Sequence, residues 1–249
     1  MDSPDRPSFL EACRPGGKYD GIVGIYRENN SAEKIGIFDK QVVDGLPQSV
    51  KWIAHNGAGY DPVDVHACKA RGIYLSNTPV AVNDATATTA LYLIIATMRQ
   101  FSLSERSLRE LKWKPDVKAH TYDLEGKTLA ILGLGGIGKR LAELAHAFPM
   151  RIIYHNRKRA DNAPDYCEYF ADVEEMLGQA DVLSVHVPLR KETEGLVSEK
   201  WIRALKPGAI IVNTARGKVI HEEAMIRALE DGHVSGSFIA LGVQNIEVG

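Results

Sequence analysis

Apolar residues in this chain fall in short runs whose spacing changes along its length. Positions 19–26 read Y-D-G-I-V-G-I-Y, a short apolar strand, and 51–55 and 73–76 are further strand candidates. Between the last two, 62–71, with Val63, Val65 and Ala70 apolar, reads as a short helix. Alternating strands and helices are the signature of a parallel α/β layer. Residues 83–106 predict one long helix, with Asn83 or Asp84 able to cap its start. Its middle, 90–98, is apolar on nearly every side, which implies burial between two bodies, either lobes or subunits. Residues 112–122 are mixed and polar and read as a connecting loop. Beyond them the pattern sharpens. Residues 127–132 form a buried strand, and Ile137, Leu141, Leu144 and Phe148 then share one helical face. Further strands are expected at 151–155, 181–187 and 209–213, and helices at 173–177, 199–205 and 222–229. A boundary near 79–83 divides the chain into lobes of residues 1–82 and 83–249.

Composition narrows the class. With 30 basic and 32 acidic residues the chain is close to neutral, which argues against a general role on nucleic acid or a membrane surface. Cys13, Cys68 and Cys167 lack metal or redox spacing and read as small buried hydrophobes, reduced in a cytoplasmic protein. The first 18 residues are polar, rich in Pro, Gly and charge, with neither a secretory apolar core nor a strand pattern. The longest apolar stretch, 90–98, is too short to span a bilayer. No metal site is expected.

The candidate chemistry begins at Gly133-Leu134-Gly135-Gly136-Ile137-Gly138, a G-x-G-x-x-G turn set between a strand and an amphipathic helix. Gly133 permits the tight turn, Gly135 lets backbone approach a pyrophosphate, and Gly138 lets helix and strand pack closely. The helix start adds N–H donors and partial positive charge. NAD sites usually place an acid about 20 residues on. Here that place holds Asn156-Arg157-Lys158-Arg159, a neutral residue followed by cations, which suits the 2′-phosphate of NADP, with NAD still possible. A solvated basic loop is the alternative. A second run, A-I-I-V-N-T-A-R-G at 209–217, ends a buried strand in a turn presenting Arg216. Strand ends of this kind hold ligands, and a planar guanidinium there can grip a 2-keto acid. An ordinary surface arginine is the competing reading.

Four blocks together carry a resemblance. They are H-N-G-A-G-Y-D at 55–61, L-G-L-G-G-I-G at 132–138, S-V-H-V-P-L at 184–189 with Thr193 and Glu194 after it, and V-N-T-A-R-G at 212–217. In this order the chain resembles the D-isomer-specific 2-hydroxyacid dehydrogenases, especially fungal glyoxylate/hydroxypyruvate reductase-like members. The resemblance implies a doubly wound parallel-sheet Rossmann domain with a smaller, incomplete flavodoxin-like substrate lobe. It implies hydride transfer between NADPH and a small 2-keto acid, and a homodimer built on the long helix. Ala58 and Gly59 match the loop whose amides hold the substrate carboxylate. Gly135, Gly136 and Ile137 match the pyrophosphate turn, and Asn156, Arg157 and Lys158 the adenosine ribose. Val187, Pro188 and Thr193 match the cofactor lining, and Thr214 and Ala215 the nicotinamide edge. Arg216 matches the catalytic arginine, whereas His186 matches a wall residue. The chain departs from the pattern after Gly236: Gly242 stands where an aspartate is usual, Glu247 is the one candidate for the motif acid, out of register, and no residue stands for the catalytic histidine. The expectation is therefore a chain altered or truncated at both ends and impaired in turnover. The alternatives are a non-catalytic NADP-binding or regulatory protein, or an inactive fragment.

Overall fold

The computed structural model describes residues 3–28, 31–113 and 121–239. It divides into two compact units, Met1–Val82 and Asn83–Gly249. The first unit holds α1 (Arg6–Ala12), β1 (Gly24–Arg27), α2 (Ser31–Ile35), α3 (Lys40–Gly45), β2 (Trp52–His55), α4 (Val65–Ala70) and β3 (Tyr74–Ser76). Its three strands pair in parallel in the order β1-β2-β3. Aspartates start three of the helices. Asp5, Asp39 and Asp64 each accept from a backbone N–H in the first turn, at Ser8, Val42 and Ala67, satisfying a donor the helix cannot. The Asp5 cap and Pro7 in the first turn make a helix of part of the N-terminal stretch whose sequence lacks a strand pattern. The strand expected over 19–26 is shorter, because Gly21 sits at φ +79° and residues 19–22 turn instead. One sheet face is packed on Phe9, Phe38, Val42, Val43, Val63 and Cys68. The other carries Tyr26, Trp52 and Tyr74, which are 66%, 50% and 68% exposed.

The second unit opens with α5 (Asn83–Met98) and α6 (Phe101–Arg109). The single helix expected over 83–106 is thus broken. Gln100 takes left-handed backbone angles, φ 52° and ψ 41°, which end one helix and begin another. There follow β4 (Thr128–Leu132), α7 (Gly136–His146), β5 (Arg151–His155), β6 (Cys167–Tyr169), α8 (Val173–Leu177), β7 (Val182–Val185), α9 (Glu199–Ala204), β8 (Ala209–Asn213), α10 (Glu222–Glu230) and β9 (Val234–Ile239). All six strands run parallel in the order β6-β5-β4-β7-β8-β9. This is the doubly wound order, and it reverses direction between β4 and β7. Each face of the sheet has its own core. Ile131, Ile152, Val182 and Val212 pack with residues of α5 and α7, while Ala130, Leu183 and Ile211 pack with residues of α8, α9 and α10. Covered on both sides, β4, β7 and β8 are buried at every position. The apolar girth of α5 is met inside this unit, by α7, β8 and β9.

Candidate functional site

The glycine turn occupies the switch point at the carboxyl end of β4. Gly133 has φ +103°, and a Cβ there would lie 3.1 Å from the His186 carbonyl carbon and from Val187, so the turn excludes side chains. A Cβ at Gly138 would meet the Gly133 carbonyl oxygen at 2.4 Å, which sets how closely α7 returns to the strand. At Gly135 a Cβ would find open space, although this residue caps α7. No side chain caps α7, so its first N–H groups stay available to an anion. Gly136 answers a different demand: its Cβ would strike the Asn83 side chain at 2.5 Å.

Asn156, just beyond β5, fastens this turn. The Leu134 N–H donates to Asn156 Oδ1 at 2.7 Å. Because a backbone N–H can only donate, the amide oxygen must face the turn, and the NH2 group is left for an acceptor. A cleft of about 770 Å³ runs from here along the strand ends. That volume lies within the range of small-molecule sites. Gly133, Gly135, Asn156, Arg157, Lys158, Val187, Pro188 and Thr193 line it, whereas Gly136, Ile137 and Gly138, at the start of α7, are not among its lining residues. Leu134, His155, Arg190, Glu192, Leu196 and Trp201 also line the cleft, and the sequence reading assigned them no ligand role. Arg190 had a signal available, since it follows directly on the V-P-L block. Thr193 shapes that loop: its hydroxyl donates to the Pro188 carbonyl at 2.6 Å and accepts from Arg190 N–H at 2.7 Å. His186 is a wall residue paired with Ser184 Oγ at 2.8 Å, and burial pushes its pKa down to about 4, so it is neutral near pH 7.

Beside β7, the end of β8 forms a second turn. Buried Asn213 donates from Nδ2 to the Arg216 carbonyl at 2.8 Å and accepts at Oδ1 from Ala215 N–H at 2.9 Å. One amide thus fixes the T-A-R turn from within. Arg216 Nη1 donates to the Ala215 carbonyl at 2.9 Å. Thr214 Oγ1 is buried and meets no partner among the described residues. Thr214, Ala215 and Arg216 do not line the cleft. Glu247 and Gly242 lie outside the described residues.

In the first unit, the loop after β2 is held through its carbonyls: Gly57 O by Thr78 N–H at 3.0 Å, Ala58 O by Asn77 Nδ2 at 2.7 Å, and Gly59 O by the His55 ring at 2.9 Å. The N–H groups of Ala58 and Gly59 meet no acceptor among the described residues. Two adjacent free donors suit a carboxylate.

The second unit fits a dinucleotide on three counts: an uncapped helix start, a glycine where a side chain would fill the approach, and an orphaned Thr214 hydroxyl. Among the described residues no helix is long and apolar enough to cross a membrane. Residues 91–241 match the family model for the NAD binding domain of D-isomer specific 2-hydroxyacid dehydrogenases. The chain is similar to 4-methyl-2-oxopentanoate reductase A of Aspergillus oryzae, 42% identical over 93% of this chain and 70% of that protein. It is 39% identical to glyoxylate reductase 1 of Saccharomyces cerevisiae, over 94% of this chain and 68% of the relative. A crystal structure of a glyoxylate reductase from Paecilomyes thermophila superposes with a TM-score of 0.89 at 44% identity, covering 94% of this chain and 71% of that one. The doubly wound sheet, the glycine turn at its switch point and these likenesses agree: the chain belongs to the D-isomer specific 2-hydroxyacid dehydrogenases, a family of NAD(P)-dependent oxidoreductases.

Proposed function

We propose that this chain is an NADP(H)-dependent reductase of a small 2-keto acid such as glyoxylate or hydroxypyruvate, with residues 1–82 as substrate lobe and 83–249 as dinucleotide domain. The observation that carries the cofactor choice is the lining beyond β5. Asn156 turns its NH2 group away from the glycine turn, and Arg157, Lys158 and Arg190 stand against a single acid, Glu192, in the same cleft. An aspartate in place of Asn156 would repel a 2′-phosphate, while an amide donor beside cations attracts it.

When bound, NADPH supplies the hydride. The N–H groups of Gly136 and Ile137 would hold its pyrophosphate beside Gly135, whose own N–H donates to the Gly133 carbonyl at 2.9 Å, and Thr214 and Ala215 would border its nicotinamide. Val187 and Pro188 would give the cofactor an apolar wall, and Thr193 fixes their loop through its hydroxyl. Ala58 and Gly59 bind the substrate carboxylate through their free N–H groups. Arg216 would polarise the keto oxygen and stabilise the developing alkoxide, which takes its proton from water, because no residue here matches the family's catalytic histidine, so turnover is expected to be impaired. We also place the chain in the cytoplasm, where its free buried thiols stay reduced. We infer a homodimer as well: among the described residues α6 buries only Ser107 and exposes Phe101 and Leu108, and Tyr92 on α5 is exposed too. Light scattering that shows a monomer at high concentration would remove the dimer.

The central test is parallel titration with NADPH and NADH, then oxidation of NADPH with glyoxylate and with hydroxypyruvate. Tighter NADPH binding, lost selectively in the Arg157→Ala/Lys158→Ala variant, is expected. Equal affinities would overturn the cofactor choice, and NADPH binding without turnover would leave a dinucleotide-binding protein.

A further inference from the structure

We infer that Arg27 and His55 form a positioning pair that locks the 56–60 loop with its N–H groups free for a carboxylate, an inference that rests on the proposed role of that loop. Arg27 ends β1 and His55 ends β2, directly opposite each other in register. Both are buried, at 0% and 2% exposure. Arg27 Nη1 lies 3.1 Å from His55 Nδ1. A guanidinium can only donate, so Nδ1 must be the acceptor. The proton of the neutral ring is then on Nε2, which donates to the Gly59 carbonyl at 2.9 Å. Burial and the neighbouring Arg27 charge lower the ring's pKa and so favour its neutral form, opposed by its hydrogen bonds and by Asp61. The loop is moulded on this ring: a Cβ on Gly57 would come within 2.9 Å of Nε2.

The choice of an arginine is informative. Arg27 Nε and Nη2 are buried without hydrogen-bond partners, and burial disfavours the cation. The Phe38 ring, 5.5 Å away, and the charge of Asp61 compensate in part. As a space-filler, a methionine would cost less. What it cannot do is force Nδ1 to accept. Without that constraint the imidazole can take either tautomer, and the Nδ1–H form has no donor for Gly59. A freed Gly59 carbonyl lets the peptide rotate and withdraws the adjacent amides from a common acceptor. Acid breaks only the other half of the pair: a protonated ring presents a donor to Arg27 and loses that bond, while Nε2–H still donates to Gly59.

The test combines ring ¹⁵N NMR of His55, amide shifts of Ala58 and Gly59 during titration of the full chain with glyoxylate, and KM against kcat for glyoxylate where turnover is measurable. In the parent the ring is expected as the Nε2–H tautomer, and glyoxylate shifts both amides. Arg27→Met should mix the tautomers and weaken glyoxylate binding about five- to tenfold, with KM rising more than kcat falls. Arg27→Lys, still an obligate donor, should recover most of the binding. His55→Gln, which keeps a donor near the Nε2 position, should bind better than His55→Phe. If Arg27→Met leaves both tautomer and binding unchanged, or if the parent ring carries its proton on Nδ1, the pair is only structural and the inference fails. If the tautomer responds as described but glyoxylate moves neither amide in the parent, the carboxylate role of the loop fails and the lock on Gly59 stands. If Arg27→Met does not fold, the comparison of His55→Gln with His55→Phe decides.

Discussion

The two units use the same grammar, parallel strands with helical crossovers, but differ in how their sheets are covered. In the second unit β4, β7 and β8 are buried at every residue, with one core above the sheet and another below. In the first, β1 and β2 alternate, and one face carries exposed Tyr26, Trp52 and Tyr74. A parallel sheet gains most when both faces are dry, because each side chain then leaves water. The second unit therefore holds its glycine turn on a sheet buried on both faces. The first presents the 56–60 loop on a sheet with one bare face, and hydrogen bonds at the strand ends hold that loop in place.

The difference can be probed from its strongest consequence down. Gly138→Ala in the second unit should cost about 3 kcal/mol or more, because its Cβ would press on the Gly133 carbonyl at a distance no rotamer relieves. Chemical denaturation monitored by circular dichroism measures it, and a loss under 1 kcal/mol would show that the turn can shift. Saturating NADPH, at about 100 times Kd, should stabilise the second unit by about 2.7 kcal/mol and leave amide exchange in the first unchanged. Protection spread evenly over both units would instead mean that they unfold as one.

Acid supplies a third probe. The folded pKa of His186, about 4, lies below the ordinary value of 6.5, so its neutral form is the one the fold favours. The stabilisation is full above about pH 6.5 and is lost as pH falls toward 4, since the unfolded chain binds the extra proton first. The expected loss is about 1–3 kcal/mol, discounted for the ring's partial exposure at the cleft. His186→Gln should flatten that slope. A slope unaffected by the substitution would assign it to other groups. The smallest effect is expected on the bare face. Trp52→Thr removes an exposed ring that tilts against Tyr74, with centroids 5.6 Å apart, and donates to Ser76 Oγ. It should cost less than about 1 kcal/mol and reduce binding of a hydrophobic dye. A large loss of stability would mean that this face is covered in solution.

Much of the fold was legible because it is written in local runs. The strand expected at 127–132 corresponds to β4 at Thr128–Leu132, and those at 151–155 and 209–213 coincide with β5 and β8. The family was legible too, since its blocks are contiguous stretches of sequence. Less legible were elements with little periodicity. The three residues of β6 leave too few positions for a pattern, and β9, V-S-G-S-F-I, sets a glycine and two serines among its apolar residues. The break at Gln100 was invisible because its neighbours are good helix formers and only its backbone angles are unusual.

What the sequence determined by itself is the class of chemistry: a glycine turn between strand and helix, an asparagine and cations where an acid is usual, and the four family blocks. Those features act through residues close together in the chain, so their order is enough. Tertiary structure alone decided how the polar groups are shared out. It set the Asn156 oxygen on the Leu134 N–H, it used one buried amide at Asn213 to hold the Arg216 turn, and it paired Arg27 with His55 across 28 positions of sequence. A hydrogen-bonding side chain has several possible partners within reach of the unfolded chain. Only the folded arrangement of the strands brings one donor and one acceptor to about 3 Å and removes the water that would otherwise compete.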